Sequence, residues 1–271
     1  MFRSKQHFIS AALAVFYLFT AISCSNDNDQ NDGLAVVPDL FKLGELTGNG
    51  LTVEAYSEGP LTVGYHRIWF EVHRDGEQIE RPEFSFAPMM HMEAHSHRSP
   101  FQSSGQERDP VHGLLETWAI FTMPSGSMGS WHLELTVSDP ERGHEALEGD
   151  IQVGVDDSNR VITFLAENEE RYVLTWIEPT EPVTGLNDLM VALHHRESMM
   201  NFPPVTEADI GFEPWMPSMD HGSSNNVDPT HQGNGFYEGA VNFNMTGDWE
   251  LRFEIGLDGV DLGRHTFELE F

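Results

Sequence analysis

Residues 249–255, WELRFEI, decide the fold of this chain. Apolar and polar side chains alternate strictly along them, and a period of two is that of a β-strand with one buried and one solvent-facing side. Residues 131–137, WHLELTV, repeat the pattern, and so do residues 68–73, IWFEVH. The alternation therefore predicts strands in which Trp131 and Trp249 begin rows of side chains that point into a core.

The same succession of motifs occurs twice, about 120 residues apart. Residues 86–90 (FAPMM) recur as residues 212–216 (FEPWM), and the segment 113–131, which ends in GSW, recurs as 235–249, which ends in GDW. A repeat of this length indicates a duplicated domain and not a solenoid. Short alternating strands between Gly, Pro, Asn and Asp, with no helical pattern, favour two tandem immunoglobulin-like β-sandwiches in an all-β chain.

The start of the chain is typical of an exported lipoprotein. Basic residues ahead of an apolar run predict a secretion signal. The signal ends in Ala-Ile-Ser-Cys, which resembles a bacterial lipobox and implies that Cys24, the only cysteine, is lipidated. A polar, acidic stretch follows and predicts a flexible tether. The predicted organisation is a signal peptide (1–23), a lipidated tether (24–48) and two sandwiches (49–157 and 160–271).

Charge and motif content narrow the classes of function. The 271 residues include 44 acidic and 14 basic residues, for a net charge of −30. Such a chain is a poor partner for nucleic acid or anionic membrane surfaces and a good one for cations. The chain lacks a GxSxG elbow, a His-Glu-x-x-His helix, a glycine-rich phosphate loop and a cysteine nucleophile, so we do not expect an enzyme. We expect an outer-membrane lipoprotein in the cell envelope, periplasmic or surface-exposed, that touches the membrane through its lipid alone.

One segment of the second copy combines thioethers with an imidazole. Residues 211–224, GFEPWMPSMDHGSS, contain Met216, Met219 and His221 within six positions. Two prolines three residues apart exclude a regular helix, so we predict a loop. Soft sulfur beside imidazole nitrogen favours copper, particularly Cu(I), over hard cations.

The first copy carries a second Met/His segment at residues 84–97, FSFAPMMHMEAHSH. Neither segment has a period of 2 or 3.6, so a buried stripe on a regular element does not explain the clustering. We predict a second loop that binds metal. Its candidate ligands are Met89, Met90, His91, Met92, His95 and His97.

Zinc is an alternative metal for this first segment, because its three histidines and Glu93 offer the nitrogen and oxygen donors of a tetrahedral site. Two further histidines, His112 and His231, each lie between the Met/His segment and the next strand of their copy. We predict that each supplies a last ligand where the chain returns past the segment.

Other methionines and histidines receive different interpretations. Met123 and Met245 fall in phase with the inward side chains of their strands, so we predict that both are core residues. His194 and His195 with Met199 and Met200 form a candidate auxiliary site. The histidines predicted to be simply solvated are His66, His132, His144 and His265.

The chain resembles the YtkA-like family of small immunoglobulin-like envelope domains. Residues 215–221 with 237–255 (YEGAVNFNMTGDWELRFEI) carry the fuller resemblance, and the first copy departs from it in its Met/His segment and its closing turn. The resemblance implies a copper-related role in the envelope. It does not define that role further.

Two hypotheses from different classes follow. In the first, two YtkA-like sandwiches bind copper through their Met/His segments for delivery, storage or buffering, with a copper-donor or copper-acceptor protein as partner. In the second, the sandwiches form a surface or scaffold module, and the methionines are an adaptable contact for a protein partner. Convergence of sulfurs and imidazoles favours the first hypothesis, and an outward apolar patch favours the second.

Overall fold

A computed structural model describes residues 40–79, 82–104, 108–139 and 143–271. The predicted signal peptide, Cys24 and most of the predicted tether lie outside the described residues. All regular elements in these ranges are β-strands, and among them no helix is long and apolar enough to cross a membrane. The prediction of an all-β chain with two immunoglobulin-like sandwiches is confirmed for this part of the chain.

The first sandwich contains nine strands in two antiparallel sheets. In one sheet the order is β1-β2-β3-β7, with β4 on the end of β3, and in the other it is β6-β5-β8-β9. The strands are β1 (Phe41–Gly48), β2 (Leu51–Ser57), β3 (Gly64–Arg74), β4 (Glu77–Gln78), β5 (Glu83–His91), β6 (Ser96–His97), β7 (Leu115–Phe121), β8 (Ser130–Asp139) and β9 (Gly143–Ile151).

The second sandwich repeats this plan. Its sheets have the orders β10-β11-β12-β16-β15 and β14-β13-β17-β18, so the second sheet reproduces the β6-β5-β8-β9 order of the first sandwich. The strands are β10 (Val161–Leu165), β11 (Arg171–Glu178), β12 (Gly185–His195), β13 (Ala208–Met216), β14 (His221–Gly222), β15 (Val227–Gly233), β16 (Phe236–Phe243), β17 (Asp248–Leu257) and β18 (Val260–Glu270).

The predicted tether extends too far along the chain. Phe41–Gly48, which we assigned to the tether, is strand β1 and pairs with β2 across a turn at Asn49 and Gly50. Only Leu46 of this strand is buried and Phe41 is exposed, so the strand shows no alternation of apolar residues. It forms because its backbone completes the edge of a sheet, which leaves no signal in hydrophobic periodicity.

Trp131 and Trp249, which begin the alternating segments 131–137 and 249–255, lie at the centres of two separate cores. Trp131 is buried with the aromatic and aliphatic residues of the first sandwich, and Trp249 with those of the second. Each indole nitrogen donates a hydrogen bond to a backbone carbonyl of the preceding turn, Trp131 to Met123 at 2.8 Å and Trp249 to Met245 at 3.1 Å. A buried indole therefore has its polar group satisfied in both copies.

Both Met/His segments are β-hairpins, so the prediction of loops was wrong. In the first copy β5 turns into β6, and in the second β13 turns into β14. Proline fits in these strands because of where its nitrogen points. The backbone nitrogens of Phe86 and Phe212 donate to Ser103 and Asp228, away from the neighbouring strand of the sheet. Two residues later, the nitrogens of Pro88 and Pro214 face the same side, where no ladder bond is lost.

A third apolar cluster joins the two sandwiches. Trp118 and Ile120 of β7 pack against Val173 and Ile177 of β11 and Ala192 of β12. The alternate residues of β7 face the first core. Strands buried on both faces carry near-continuous apolar runs, as β7 and β11 do.

One glycine brings the hairpin of the first sandwich against the turn before β8. A methyl group on Gly129 would overlap the carbonyl oxygen of His91 and lie 3.1 Å from the methyl carbon of Met90. Gly129→Ala is therefore expected to lower the free energy of unfolding by about 1–3 kcal/mol, as overpacking does. Chemical denaturation measures the change. Gly44→Ala is the control, because a methyl group there meets nothing within 4 Å; equal stability of the two variants would contradict the close approach.

Candidate metal centre

Each hairpin places one methionine directly across from one histidine. Met90 pairs with His97 in the first sandwich, and Met216 pairs with His221 in the second. Side chains at directly opposed positions lie on the same face, with Cβ atoms about 4.5–5.5 Å apart. The structure thus brings together two of the predicted ligands in each copy.

The imidazoles of these pairs are held in the same way. The Nδ1 atom of His97 lies 2.8 Å from the carbonyl oxygen of Arg98, and that of His221 lies 2.9 Å from the carbonyl oxygen of Gly222. A carbonyl only accepts, so each Nδ1 carries the proton and each Nε2 keeps its lone pair. The same bond is the usual support for a histidine that binds metal through Nε2.

Each histidine also stands edge-on to the core tryptophan of its sandwich. The ring centroids of His97 and Trp131 are 5.6 Å apart, and those of His221 and Trp249 are 6.2 Å apart. Burial lowers the pKa of His97, which keeps its imidazole neutral. A neutral imidazole at physiological pH is available as a ligand.

The methionines divide between core and surface. Met90 and Met216 are buried in the two cores, where each lies against the glycine before the tryptophan strand. Met89 is buried and Met92 is half-buried against the first core. Met219 is 58% exposed at the tip of the second hairpin, where its backbone nitrogen donates to the carbonyl of Met216.

The predicted last ligands do not join these hairpins. His112 precedes the start of β7, whereas the far end of β7, Phe121, packs on Trp131. Seven residues at about 3.3 Å each separate those ends by about 20 Å. His112 instead binds the Asp109 carboxylate at 2.5 Å, and His231 accepts a hydrogen bond from the backbone of Gly235 at the corresponding end of β16.

The zinc set predicted for the first segment is not assembled either. His91 and His97 lie on opposite sides of the hairpin, because His97 faces the core and His91 faces outward. His95 and Glu93 are exposed in the turn. A hairpin with alternating side chains separates residues that a loop would have allowed to converge.

His91 instead meets a histidine that we interpreted as merely solvated. Its Nε2 lies 3.3 Å from the Glu148 carboxylate, and His132 Nδ1 lies 3.4 Å from the same oxygen. The imidazole rings of His91 and His132 are 4.4 Å apart. The alternation of β8 placed His132 on the outer face, but only the register of β5, β8 and β9 shows what surrounds it.

Several other sequence-based assignments need correction. Met245 is 37% exposed and is not a core residue, whereas Met123 packs on the first core as predicted. The residues of the candidate auxiliary site do not converge. His194 is buried between the sandwiches, His195 pairs with Glu170 and Met200 is exposed. Two histidines interpreted as solvated are packed against aromatic rings, namely His66 on Phe121 and His265 on Phe164.

The second hairpin and most of its tryptophan strand lie within one stretch that a known family describes. The model of the YtkA-like family matches residues 168–254. This YtkA-like stretch contains Met216, Met219 and His221 together with Trp249. The first sandwich lies outside the match, and its likeness to the YtkA-like stretch rests on the shared strand order and the shared Met–His pairing.

Comparison with solved structures returns β-domain proteins at low similarity. Invasin, a bacterial integrin-binding protein, is 11% identical at a TM-score of 0.27, with 82% of this chain and 39% of invasin covered. FdeC, an Escherichia coli adhesin, is 14% identical at 0.25, with 83% and 65% covered. A chimeric titin Z1Z2 is 12% identical at 0.20, with 80% and 94% covered. No curated protein matches the chain.

Proposed function

We propose that this chain is an envelope protein, anchored through a lipid on Cys24, that binds copper at the Met–His hairpins of its two YtkA-like sandwiches. Its role is delivery, storage or buffering of the metal, with a copper-donor or copper-acceptor protein as partner. The observation that carries the proposal is the repeated pair: Met90 with His97, and Met216 with His221. In both copies a backbone carbonyl fixes the histidine so that Nε2 is the atom available to a metal.

The donor types of these pairs fit copper better than other common metals. Thioether sulfur and neutral imidazole suit Cu(I), whereas thioether is a poor ligand for zinc or hard cations. The acidic surface of a chain with net charge −30 favours the approach of any cation. Copper held in this way would be bound as cargo, without a reaction at the metal.

In the second hairpin, exposure decides which side chain meets the metal first. Met216 is only 1% exposed, whereas His221 is half-buried. Met219, at the exposed tip, lies three residues from Met216 in the same turn. The exposed thioether and the imidazole would therefore capture the ion, and the buried thioether would complete the soft donor set.

The double substitution Met216→Leu with Met219→Leu tests the second site. We expect Cu(I) affinity at this site to fall at least about tenfold, or roughly 1.4 kcal/mol, because Leu keeps the volume but removes the sulfur. Stability without metal should change by less than about 1.5 kcal/mol. Competition titration of the purified full chain with a Cu(I) chelator measures the affinity, and the first hairpin provides the unchanged reference site.

Met245→Leu is the matched control, since Met245 is exposed at the same end of the second sandwich but lies outside the Met–His pair. We expect this variant to bind Cu(I) like the parent chain. If the double variant also binds like the parent, the sulfurs are not ligands and the proposal of copper binding fails.

A surface module that binds a protein partner is the second candidate function. The observation that favours it is the exposure of Met219 and Met245 at one end of the second sandwich and of Met128 in the corresponding turn of the first. Flexible thioether side chains adapt to varied apolar partners. Unchanged Cu(I) binding in the double variant would favour this second function, in which the exposed methionines contact a protein partner.

A further inference from the structure

We propose that the outer face of the first sandwich carries a separate site for a zinc-class divalent cation, formed by His91, His132 and Glu148, with Asp150 as the fourth donor. Three neighbouring strands supply these residues: His91 ends β5, His132 begins β8, and the two carboxylates lie on β9. One ligand atom from each of His91, His132 and Glu148 lies within 4.8 Å of the others.

The distances from the Glu148 oxygen to the two imidazole nitrogens match those between neighbouring ligands of a tetrahedral ion. Zinc binds imidazole nitrogen and carboxylate oxygen at about 2.0–2.1 Å, which places neighbouring ligand atoms about 3.3–3.4 Å apart. The Glu148 oxygen lies 3.3 Å from His91 Nε2 and 3.4 Å from His132 Nδ1. Asp150 is not one of the three converging groups, but its carboxylate lies 2.8 Å from His132 Nδ1 on an exposed side chain, so it is the nearest group that could turn to become a fourth donor.

Both imidazoles are oriented by hydrogen bonds at their other nitrogens. His91 Nδ1 lies 3.1 Å from the Ser96 hydroxyl, and His132 Nε2 lies 2.9 Å from the Ser130 hydroxyl. These bonds fix the ring planes and point His91 Nε2 and His132 Nδ1 at Glu148, as outer partners of metal-binding histidines do. His91 Nε2 is itself buried and makes no hydrogen bond, so one donor atom is already desolvated and unpartnered.

Charge also favours a divalent cation at this place. Two carboxylates balance the charge of +2 on a divalent cation. No lysine or arginine among the described residues forms an ion pair with Glu148 or Asp150, and in that part of the chain the two carboxylates pair with His91 and His132 instead.

A second group of converging side chains in the first sandwich does have a basic residue paired with one of its carboxylates. Glu54, Glu71 and His73 also lie within 4.8 Å of one another. However, the Lys42 ammonium binds Glu54 at 2.5 Å and the Tyr56 hydroxyl donates to the same carboxylate. A cation is already in place, so we assign no metal to this group.

The second sandwich provides an internal comparison. Met216 and Trp249 occupy the positions of Met90 and Trp131, so Pro217 and Glu250 stand where His91 and His132 do. The proline side chain has no atom that could bind a metal, and the Glu250 carboxylate forms an ion pair with the Arg252 guanidinium. The outer site is therefore a property of the first sandwich alone, whereas the Met–His pair is common to both.

The experiment is a Zn(II) competition titration of the purified full chain against a chromophoric chelator. His132→Gln is expected to weaken Zn(II) binding at least tenfold and to leave Cu(I) affinity unchanged. Glu148→Gln should have a smaller effect in the same direction. Substitution with Co(II) adds an independent readout, because a tetrahedral site absorbs strongly in the visible and the His132→Gln chain should lose that band.

The matched control is His144→Gln on β9, since His144 lies on the same sheet and contacts a serine hydroxyl but converges with no second histidine. It should bind Zn(II) like the parent chain. Parent-like Zn(II) binding by both His132→Gln and Glu148→Gln would overturn the proposal. Failure of the copper proposal is distinguishable, because the Met216→Leu, Met219→Leu chain should bind Cu(I) more weakly at the second hairpin only and should bind Zn(II) like the parent chain.

Discussion

Trp118→Ala is expected to lower the free energy of unfolding of the chain by about 3–5 kcal/mol, the usual cost of deleting a large buried aromatic side chain. Trp118 is on β7 of the first sandwich, but its indole packs on residues of the second. The ring centroid lies 5.0 Å from that of Phe236 and 5.8 Å from that of His194. Tyr65 of the first sandwich completes the cluster at 6.0 Å. Removal of the indole leaves a cavity at the contact that holds the sandwiches together.

Chemical denaturation and limited proteolysis together test this prediction. The segment between β9 and β10, residues 152–160, should become more sensitive to protease, because the contact beside it is weakened. Trp215→Ala is the control: Trp215 lies half-buried on the outside of the second sandwich, with the Arg252 guanidinium 4.9 Å from its ring centroid. If Trp118→Ala is no more destabilising than Trp215→Ala, the two sandwiches do not depend on the contact.

Most of the sandwich architecture could be predicted from alternation. A strand that buries only one face, such as β8 or β17, alternates apolar and polar residues along its sequence. The contact between the sandwiches was missed although it left a signal. Strand β11, RYVLTWIE, is apolar almost throughout, which is typical of a strand buried on both faces. Strand β1 was missed for the opposite reason, since a strand with one buried side chain has no period to detect.

The site could be predicted only in part, because sequence proximity is a poor guide to convergence in a hairpin. The Met–His pairs were found as a cluster of soft donors, but alternation sends His91 and His97 to opposite sides, and the turn of the second hairpin leaves Met219 at the surface. His132 and Glu148 come from other strands, and strand register is set by long-range pairing that no local pattern contains. Such partners become visible only in the folded sheet.

Acidification is expected to destabilise the chain between about pH 6.5 and 4 through His194. Burial between the sandwiches lowers the pKa of His194 from 6.5 to about 4, and its Nδ1 atom has no hydrogen-bond partner. The unfolded chain binds a proton at His194 in this range and the folded chain does not, so stability falls as the pH falls. Between pH 7.5 and 5 this single group should remove about 2 kcal/mol of stability.

Chemical denaturation of the parent and His194→Leu chains at pH 7.5 and 5 isolates this contribution. The His194→Leu chain should lose about 2 kcal/mol less on acidification, because leucine takes up no proton. Carboxylates whose pKa is lowered, such as Glu54 and Asp248, lose their contribution to the stability of the fold only at more acidic pH. His195→Gln is the control, since the neighbouring His195 faces outward and binds the Glu170 carboxylate at 2.9 Å. Equal pH dependence in the parent and His194→Leu chains would show that His194 is not held neutral between the sandwiches.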